Sequence, residues 1–203
     1  ANAMFKQFKF DPIGSASFGQ VHEAYLKTGQ KVAVKIQRPE IQAIVARDIF
    51  LMKVFAKVLD AFMFSSNKLT NSVNEFEMWT NEELDYVKEA EYTQEFYNKT
   101  KNQYNRIKAP RVYGKFTSKR IITQEFIEGF TIAKYLQARR NKDKSFLARA
   151  KKQGFSEKKV ANKLLLDGMK QVYLEGIYHA DLHPANIIFS GKRGLYYIDF
   201  GIS

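Results

Sequence analysis

Short stretches rich in strand-forming residues mark both ends of the chain, and longer helix-like stretches fill the middle. Residues 8–37 are rich in glycine and β-branched side chains, and Lys-Thr-Gly-Gln at 27–30 separates two apolar runs, which predicts a β-hairpin. After Pro39, residues 41–64 contain no Gly or Pro and are long enough for a helix of about six turns. Because this helix carries few charges, we expect another element to cover most of it.

The later elements follow from the same reading of periodicity and turn residues. They are a polar break at 65–74, a helix at 82–101, a strand pair at 111–116 and 120–126, a linker at 128–129, helices at 132–149 and 157–175, and short strands at 187–189 and 196–198. Strands come first and helices later, which indicates an α+β protein with two lobes meeting near Glu128.

Composition narrows the class of protein. The 203 residues are 45% hydrophobic and 27% charged, which suits one compact domain or two joined lobes and argues against disorder. Lys and Arg exceed Asp and Glu by 33 to 21, so the net charge of +12 favours anionic partners. Without cysteine or an apolar run long enough to span a bilayer, we expect a cytoplasmic protein. Residues 1–4 resemble a vector remnant and a start methionine.

A small-residue loop and a strand lysine form the first candidate site. Residues 14–21 fit G-x-G-x-x-G-x-V except at Ala16, and small residues let backbone N–H groups approach a polyphosphate above a hairpin. The loop alone is also typical of an ordinary turn. Fourteen residues beyond Val21, however, a Val-Ala-Val-Lys strand ends at a lysine that could face those phosphates. The candidate nucleotide-binding residues here are Gly14, Ala16, Ser17, Gly19, Val21 and Lys35.

A lysine in this role needs a carboxylate to hold it. Glu83 and Glu89 are both candidates, and they lie six residues apart, which places them on different faces of a helix. Only one of the two is therefore expected to pair with Lys35, and either choice remains open at this point.

The C-terminal end carries the second group of candidate residues. His179, Asp181 and Asn186 have the order H-x-D-x-x-x-x-N, and Asp-Phe-Gly follows from Asp199. Phosphoryl transfer requires a carboxylate near the acceptor hydroxyl and oxygen ligands for Mg²⁺. Asp181 suits the first role, while Asn186 and Asp199 suit the second. A metal site built on His179 and His183 is the alternative, but no second cluster completes it, so we expect His179 to brace the loop.

Taken together, these residues resemble the UbiB/AarF/ADCK family of atypical protein-kinase-like proteins. The resemblance rests on the motifs at 12–23, 32–39, 83–90, 125–129, 179–186 and 199–201, which cover nearly the whole chain in the family's order. It implies a two-lobed kinase-like fold. The N-lobe, residues 5–127, would hold an antiparallel sheet with an inserted helix, and residues 128–203 would form a truncated, mostly helical C-lobe.

The resemblance also implies chemistry. Lys35 would lie at the nucleotide phosphates with Glu83 or Glu89 as its partner, and Asp181 would be the base-like catalytic carboxylate. Asn186 and Asp199 would bind magnesium, and Glu125 and Phe126 would receive adenine through backbone groups. The implied function is an Mg–ATP-binding atypical kinase or ATPase that supports isoprenoid quinone synthesis at membranes, with a quinone-synthesis intermediate or anionic lipid as further partner.

Two other functions compete with this interpretation. Leu182, where the family usually has proline, favours a small-molecule phosphotransferase of the aminoglycoside type, against which Glu-Leu-Asp-Tyr at 83–86 argues. Residues 139–163 contain ten Lys or Arg and two acidic residues, so a nucleotide-sensing module docked on anionic lipid at the inner face of a membrane is the non-catalytic alternative. Aromatic residues fall at core positions rather than among exposed cations, so we expect no nucleic-acid partner.

Overall fold

The computed structural model describes residues 4–62, 68–103, 105–176 and 178–201. Within these ranges the chain forms eight strands in two antiparallel sheets, with six α-helices around them. The larger sheet ends at Glu125 and the smaller sheet begins at Phe130. The α+β arrangement predicted from the sequence is therefore confirmed. Residues 1–3 of the predicted N-terminal remnant lie outside the described residues.

The larger sheet presents the first candidate site. Its strands are β1 (Phe5–Phe8), β2 (Gly14–Ala16), β3 (Gly19–Leu26), β4 (Lys31–Gln37) and β5 (Ile121–Glu125), in the order β1-β3-β4-β5 with β2 paired to β3. The predicted hairpin is confirmed as β3 and β4. The Leu26 N–H donates to the Gln30 carbonyl at 2.9 Å, and Gly29 adopts φ +92°, which glycine reaches without a Cβ clash.

Two helices after this hairpin pack on each other. Helix α1 (Ile41–Phe62) confirms the predicted helix as far as Phe62, and residues 63 and 64 lie outside the described residues. Helix α2 (Lys68–Glu83) shows that the predicted polar break at 65–74 is wrong from Lys68 onward. Helix α2 begins at Lys68 because the Asp60 carboxylate accepts the N–H groups of Leu69 and Thr70 in its first turn. Within α2, the polar residues Lys68, Asn71, Ser72 and Asn74 are exposed to solvent.

The cover expected over α1 is only partial in the described residues. Helix α1 buries Ile49, Ala56 and Asp60, which form one stripe. Its other large side chains remain open to solvent, and Phe55 and Phe62 are 67% and 80% exposed. None of the helices in the described ranges combines the length and the apolar character needed to cross a bilayer.

The single helix predicted at 82–101 is interrupted. Helix α3 (Tyr86–Thr100) begins after Asp85, whose side chain accepts the Val87 N–H at 3.0 Å. Aspartate is a favoured helix N-cap because it satisfies such an N–H group, so the break falls at Leu84 and Asp85. The helix register that this cap sets decides which glutamate enters the site.

The predicted strand pair is half correct. Residues 121–125 form β5, but the segment 111–116 makes only one bridge, between Val112 and Gln124, and then turns as a 3₁₀ helix at Gly114–Phe116. The Thr123 hydroxyl donates to the Phe116 carbonyl at 2.7 Å. A side chain thus satisfies a backbone group that a strand ladder would otherwise have paired.

The C-terminal part combines a small sheet with helices. Its elements are β6 (Phe130–Thr131), α4 (Ile132–Arg140), α5 (Lys144–Lys152), α6 (Glu157–Lys170), a π-helical turn at Gln171–Glu175, β7 (Ile187–Phe189) and β8 (Leu195–Tyr197). The single helix predicted at 132–149 is wrong, because Lys142 has φ +54° and Asp143 caps α5. The helical segment at 157–175 and the two short strands are confirmed, the second strand one residue earlier than predicted.

Candidate functional site

Strand β2 and the first part of β3 line one side of a cleft of about 480 Å³. Gly14, Ala16 and Val21 line this cleft, whereas Ser17 and Gly19 are not among its lining residues in the described chain. Gly19 instead faces the protein: a Cβ there would collide with the Ile36 carbonyl and lie 2.7 Å from the Tyr86 hydroxyl. Glycine is therefore required at 19 for packing against β4 and α3.

Lys35 lies at the centre of the cleft on β4. Its ammonium donates to Glu89 Oε2 at 2.8 Å and to Asp199 Oδ1 at 2.9 Å, and it lies 4.9 Å from the centre of the Tyr86 ring. Glu89 is thus the carboxylate partner that the sequence left undecided. Glu83, at the end of α2, lies beside Gly201 instead. A Cβ atom added to Gly201 would lie 3.4 Å from the Glu83 Cγ.

Burial sets the electrostatics of this cluster. Lys35 and Glu89 are both buried, and the Asp199 side chain is 31% exposed. Burial alone would lower the pKa of Lys35, but the carboxylates of Glu89 and Asp199 raise this pKa well above its usual range. Burial also raises the pKa of Glu89 to about 7, against the opposing effect of Lys35. Desolvation of Glu89 is therefore the main electrostatic cost of the site.

Tyr86 completes this cluster, and the sequence did not single it out. Its side chain is buried, its hydroxyl has no hydrogen-bond partner among the described residues, and burial raises its pKa to about 12. The ring lies against the Lys35 ammonium, where a cation–π contact favours the charged lysine.

The loop at 179–186 holds the second set of polar groups. Asp181 accepts the Asn186 side-chain amide at 2.7 Å and the His183 N–H at 3.2 Å. Because the Asn186 amide nitrogen points to Asp181, its oxygen is directed elsewhere, and Asn186 and Asp199 line the same cleft. Asp199 adopts φ +66°, an uncommon conformation for a residue with a Cβ and one that clusters at functional sites.

His179 braces this loop, as expected from the sequence. The backbone N–H of His179 donates to Gln171 Oε1 at 2.8 Å, and the imidazole ring of His179 lies 4.6 Å from the Phe200 ring. Phe200 in turn lies 5.3 Å from Phe96 on α3, so an aromatic column connects the helix that carries Glu89 with both C-terminal motifs. Phe96 could not be predicted, because an apolar residue in a helix carries no local signal of this contact.

A buried ion cluster supports the same loop from below. Arg106 donates to Asp167 at 2.6 Å and pairs through both terminal nitrogens with Glu175. Asp167 also accepts the Gln171 side chain at 2.8 Å, and Gln171 holds the His179 N–H. These contacts connect the segment after α3 with the loop of Asp181.

The predicted hinge residues line the cleft, but their N–H groups are already used. The Glu125 N–H donates to the Arg111 carbonyl at 2.8 Å, and the Phe126 N–H donates to the Lys31 carbonyl at 3.3 Å. The Glu125 carboxylate pairs with Arg193. Ile127, which also lines the cleft, follows directly.

The donor set fits magnesium better than zinc. Asp199 and Asn186 offer oxygen atoms to one cleft, and Mg²⁺ prefers few protein oxygens together with phosphate and water oxygens. Across the described ranges, no three His, Cys, Asp or Glu side chains form a cluster that could hold a metal. The His179–His183 alternative therefore has no support in the structure.

Comparison with known proteins agrees with this geometry. The model of the ABC1 atypical kinase-like domain matches residues 1–203. The chain belongs to this family. The family resemblance inferred from the sequence, to the UbiB/AarF/ADCK proteins, is thereby confirmed, and the chain is an atypical kinase-like domain.

Two relatives and one solved structure show the extent of the similarity. The chain is 30% identical over 202 residues to the Arabidopsis thaliana protein ACTIVITY OF BC1 COMPLEX KINASE 7, chloroplastic, covering 99% of this chain and 27% of that protein. It is 30% identical to AarF domain-containing protein kinase 1 of Gallus gallus, and the match covers 98% of this chain and 37% of that protein. The structure of the Rv3197–erythromycin complex from Mycobacterium tuberculosis superposes with a TM-score of 0.73 at 27% identity. The match covers 98% of this chain and 46% of that chain. The chain thus spans less than half the length of each of these three proteins.

Proposed function

We propose that this ABC1-family chain binds Mg–ATP in the cleft between its two sheets and transfers or hydrolyses the terminal phosphate. The observation that carries the proposal is the meeting of three segments at Lys35, whose ammonium contacts Glu89 at 2.8 Å and Asp199 at 2.9 Å. Lys35 and Asp199 are separated by 164 residues, so the tertiary fold brings them together. A buried cation beside an accessible carboxylate suits a metal-chelated triphosphate.

Each side chain would then have a distinct task. Lys35, held by Glu89, would bind the phosphates and neutralise charge that develops on the leaving group. Asp181 would orient the acceptor hydroxyl or water and accept its proton, in a position fixed by its bond to Asn186. Asn186 and Asp199 would hold Mg²⁺, which would offset negative charge on the phosphates.

The adenine would lie against the segment after β5. Since the N–H groups of Glu125 and Phe126 are engaged within the protein, we infer that the backbone of Ile127 and carbonyl groups of this segment would receive the base. The apolar side chains of Val21, Ala33 and Ile188 line the same cleft and would cover its faces. This assignment moves the hydrogen-bonding position by one residue from the sequence prediction.

Calorimetric titration with Mg–ATP tests the proposal. We expect Lys35→Ala and Asp199→Asn to weaken binding about tenfold or more, since each removes a charge-assisted contact. Lys6→Ala changes an exposed strand lysine outside the cleft and should bind as the wild type does. Equal affinity in all four proteins, or no binding to the wild type, would exclude this function.

Attachment to a membrane surface is a second candidate, favoured by the exposed aromatic side chains of α1. Phe55 and Phe62 are 67% and 80% exposed, and residues 139–163 supply the cations that anionic lipid attracts. The family resemblance further suggests a quinone-synthesis intermediate as acceptor. Flotation with anionic and neutral vesicles tests the attachment, and a Phe55→Ser/Phe62→Ser variant should float less. Equal recovery with both vesicle types would contradict it, and host quinone content in a Lys35→Ala strain tests the acceptor.

A further inference from the structure

A second cleft, larger than the first, lies beside the candidate nucleotide cleft. It has a volume of about 860 Å³, and its walls come from residues 128–130, helices α4 and α5, and the turn at 190–193 between β7 and β8. The two clefts share Gly129, Phe130 and Lys134. We call this second space the basic cleft.

Cations dominate the lining of the basic cleft. Four of its lining residues are basic and two are acidic: Lys134, Arg149, Lys192 and Arg193 against Glu128 and Asp143. Both carboxylates have partners within the protein. Glu128 pairs with Lys31 at 2.7 Å, and Asp143 accepts the Phe146 N–H at 3.0 Å, where it caps α5, and also interacts with Arg149. In the described part of the chain, Lys134, Arg149 and Lys192 take part in no ion pair, whereas Arg193 pairs with Glu125.

An aromatic ring lies between two of these cations. The Lys134 ammonium is 6.0 Å and the Arg149 guanidinium 5.8 Å from the centre of the Phe146 ring, and the Phe130 ring is 5.2 Å from it. The cleft therefore offers positive charge next to an apolar surface. An inorganic anion would use only the charge, and 860 Å³ is a volume typical of sites for organic ligands.

We propose that the basic cleft is a second ligand site, which binds a phosphate group carried on an apolar ring or chain. Lys134 and Arg149 would bind the phosphate, with Lys192 at the rim, and Phe146 would contact the apolar part. The phosphate could belong to a free metabolite or to a lipid headgroup, since both offer the same chemistry. The site does not require that the first cleft binds ATP.

This site is separate from phosphoryl transfer. None of Lys35, Asp181, Asn186 and Asp199 is among the residues that line the basic cleft. It meets the nucleotide cleft at Gly129 and Phe130, which follow the proposed adenine position. A ligand here would therefore lie near the base end of a nucleotide rather than near the terminal phosphate, so it is not the acceptor.

Calorimetric titration with phenyl phosphate tests the proposal, because this probe combines a phosphate with a ring. We expect Lys134→Gln/Arg149→Gln to bind it at least tenfold more weakly than the wild-type chain. The matched control is Lys158→Gln/Lys159→Gln, which removes the same charge from an exposed face of α6 and should change binding less than twofold. All four substituted positions are exposed on helices, and circular dichroism checks that each variant folds.

Further arms identify the source of the phosphate and separate this proposal from the proposed function. Lys35→Ala should bind phenyl phosphate as the wild type does, and a loss there would place the probe in the nucleotide cleft and overturn the proposal. Phosphatidic acid vesicles that compete with phenyl phosphate point to a lipid headgroup, and failure to compete points to a free phosphate compound. Absence of phenyl phosphate binding to the wild type, or equal weakening by both double variants, also overturns it. If Mg–ATP fails to bind while this pattern holds, only the proposed function is lost.

Discussion

Removal of Arg106 should destabilise the chain strongly, because this side chain neutralises a buried carboxylate. Arg106 and Asp167 are each 4% exposed and their side chains meet at 2.6 Å. Breaking a buried pair by removing one partner costs about 3–5 kcal/mol, since the other charge stays buried without its counterion. Asp167 would keep the Gln171 side-chain amide at 2.8 Å, so we expect Arg106→Ala to fall near the lower limit, about 3 kcal/mol.

Urea unfolding at pH 7 of Arg106→Ala, Asp167→Ala and the double variant measures this effect. Because the two residues are in contact, the double variant should be less destabilised than the sum of the single variants by about 2 kcal/mol. A loss of 3 kcal/mol corresponds to a melting temperature lower by about 6–12 °C for a chain of this size.

Arg139→Ala is the matched control for this cycle. Arg139 also pairs with a glutamate, Glu157, at 2.8 Å, but the two side chains are 61% and 47% exposed. Exposed pairs contribute about 0–1 kcal/mol. If Arg106→Ala costs no more than Arg139→Ala, or if the single effects simply add, the cluster does not support the loop as described.

Three other outcomes follow from the site. Burial lowers the pKa of His179 below its ordinary 6.5, so the unfolded chain binds the proton first and the free energy of unfolding should fall as the pH drops through 6.5, by at most about 1.4 kcal/mol per pH unit. Urea titrations at pH 7.5 and 5.5 should show a smaller fall in His179→Gln, and the difference between the two proteins isolates this group from Glu89, whose raised pKa acts in the opposite direction. Gly19→Ala should destabilise by about 2 kcal/mol in the same assay, whereas Gly14→Ala, with nothing within 4 Å of its added Cβ, should stay within about 0.5 kcal/mol. Glu89→Gln should weaken Mg–ATP binding in calorimetry more than Glu83→Gln does. The reverse order would show that Glu89 is not the functional partner of Lys35.

Local motifs account for what could be predicted from the sequence. The order of the hairpin, the strand lysine and the two C-terminal motifs is encoded in short stretches, so Lys35 and Asp199 could be assigned to one nucleotide site without coordinates. The choice between Glu83 and Glu89 could not be made from the sequence, because both are carboxylates in one acidic stretch. A single cap decides it: Asp85 ends one helix and begins the next, which places Glu89 in the first turn of α3.

Contacts between distant residues account for what was missed. Arg106 meets Asp167 across 61 residues and Glu175 across 69, and no spacing rule connects such positions. The strand expected at 111–116 failed for a related reason, because Thr123 supplies a hydrogen bond that the pattern of apolar residues does not report. Sequence periodicity describes a segment's faces, but it does not describe which side chain will satisfy its backbone.

The two carboxylates that contact Lys35 are buried to different extents, and this difference indicates which contact would open when a ligand binds. Glu89 is 3% exposed and sits at the start of α3, where the helix dipole favours a negative charge, so its contact with Lys35 is enclosed by protein. The Asp199 side chain is 31% exposed and faces the cleft. Under the proposed function, the Lys35–Asp199 contact would therefore be the one that opens, and the Lys35–Glu89 contact would stay in place. Lys35 would thus exchange one carboxylate for a phosphate, while Asp199 would become free to bind the metal.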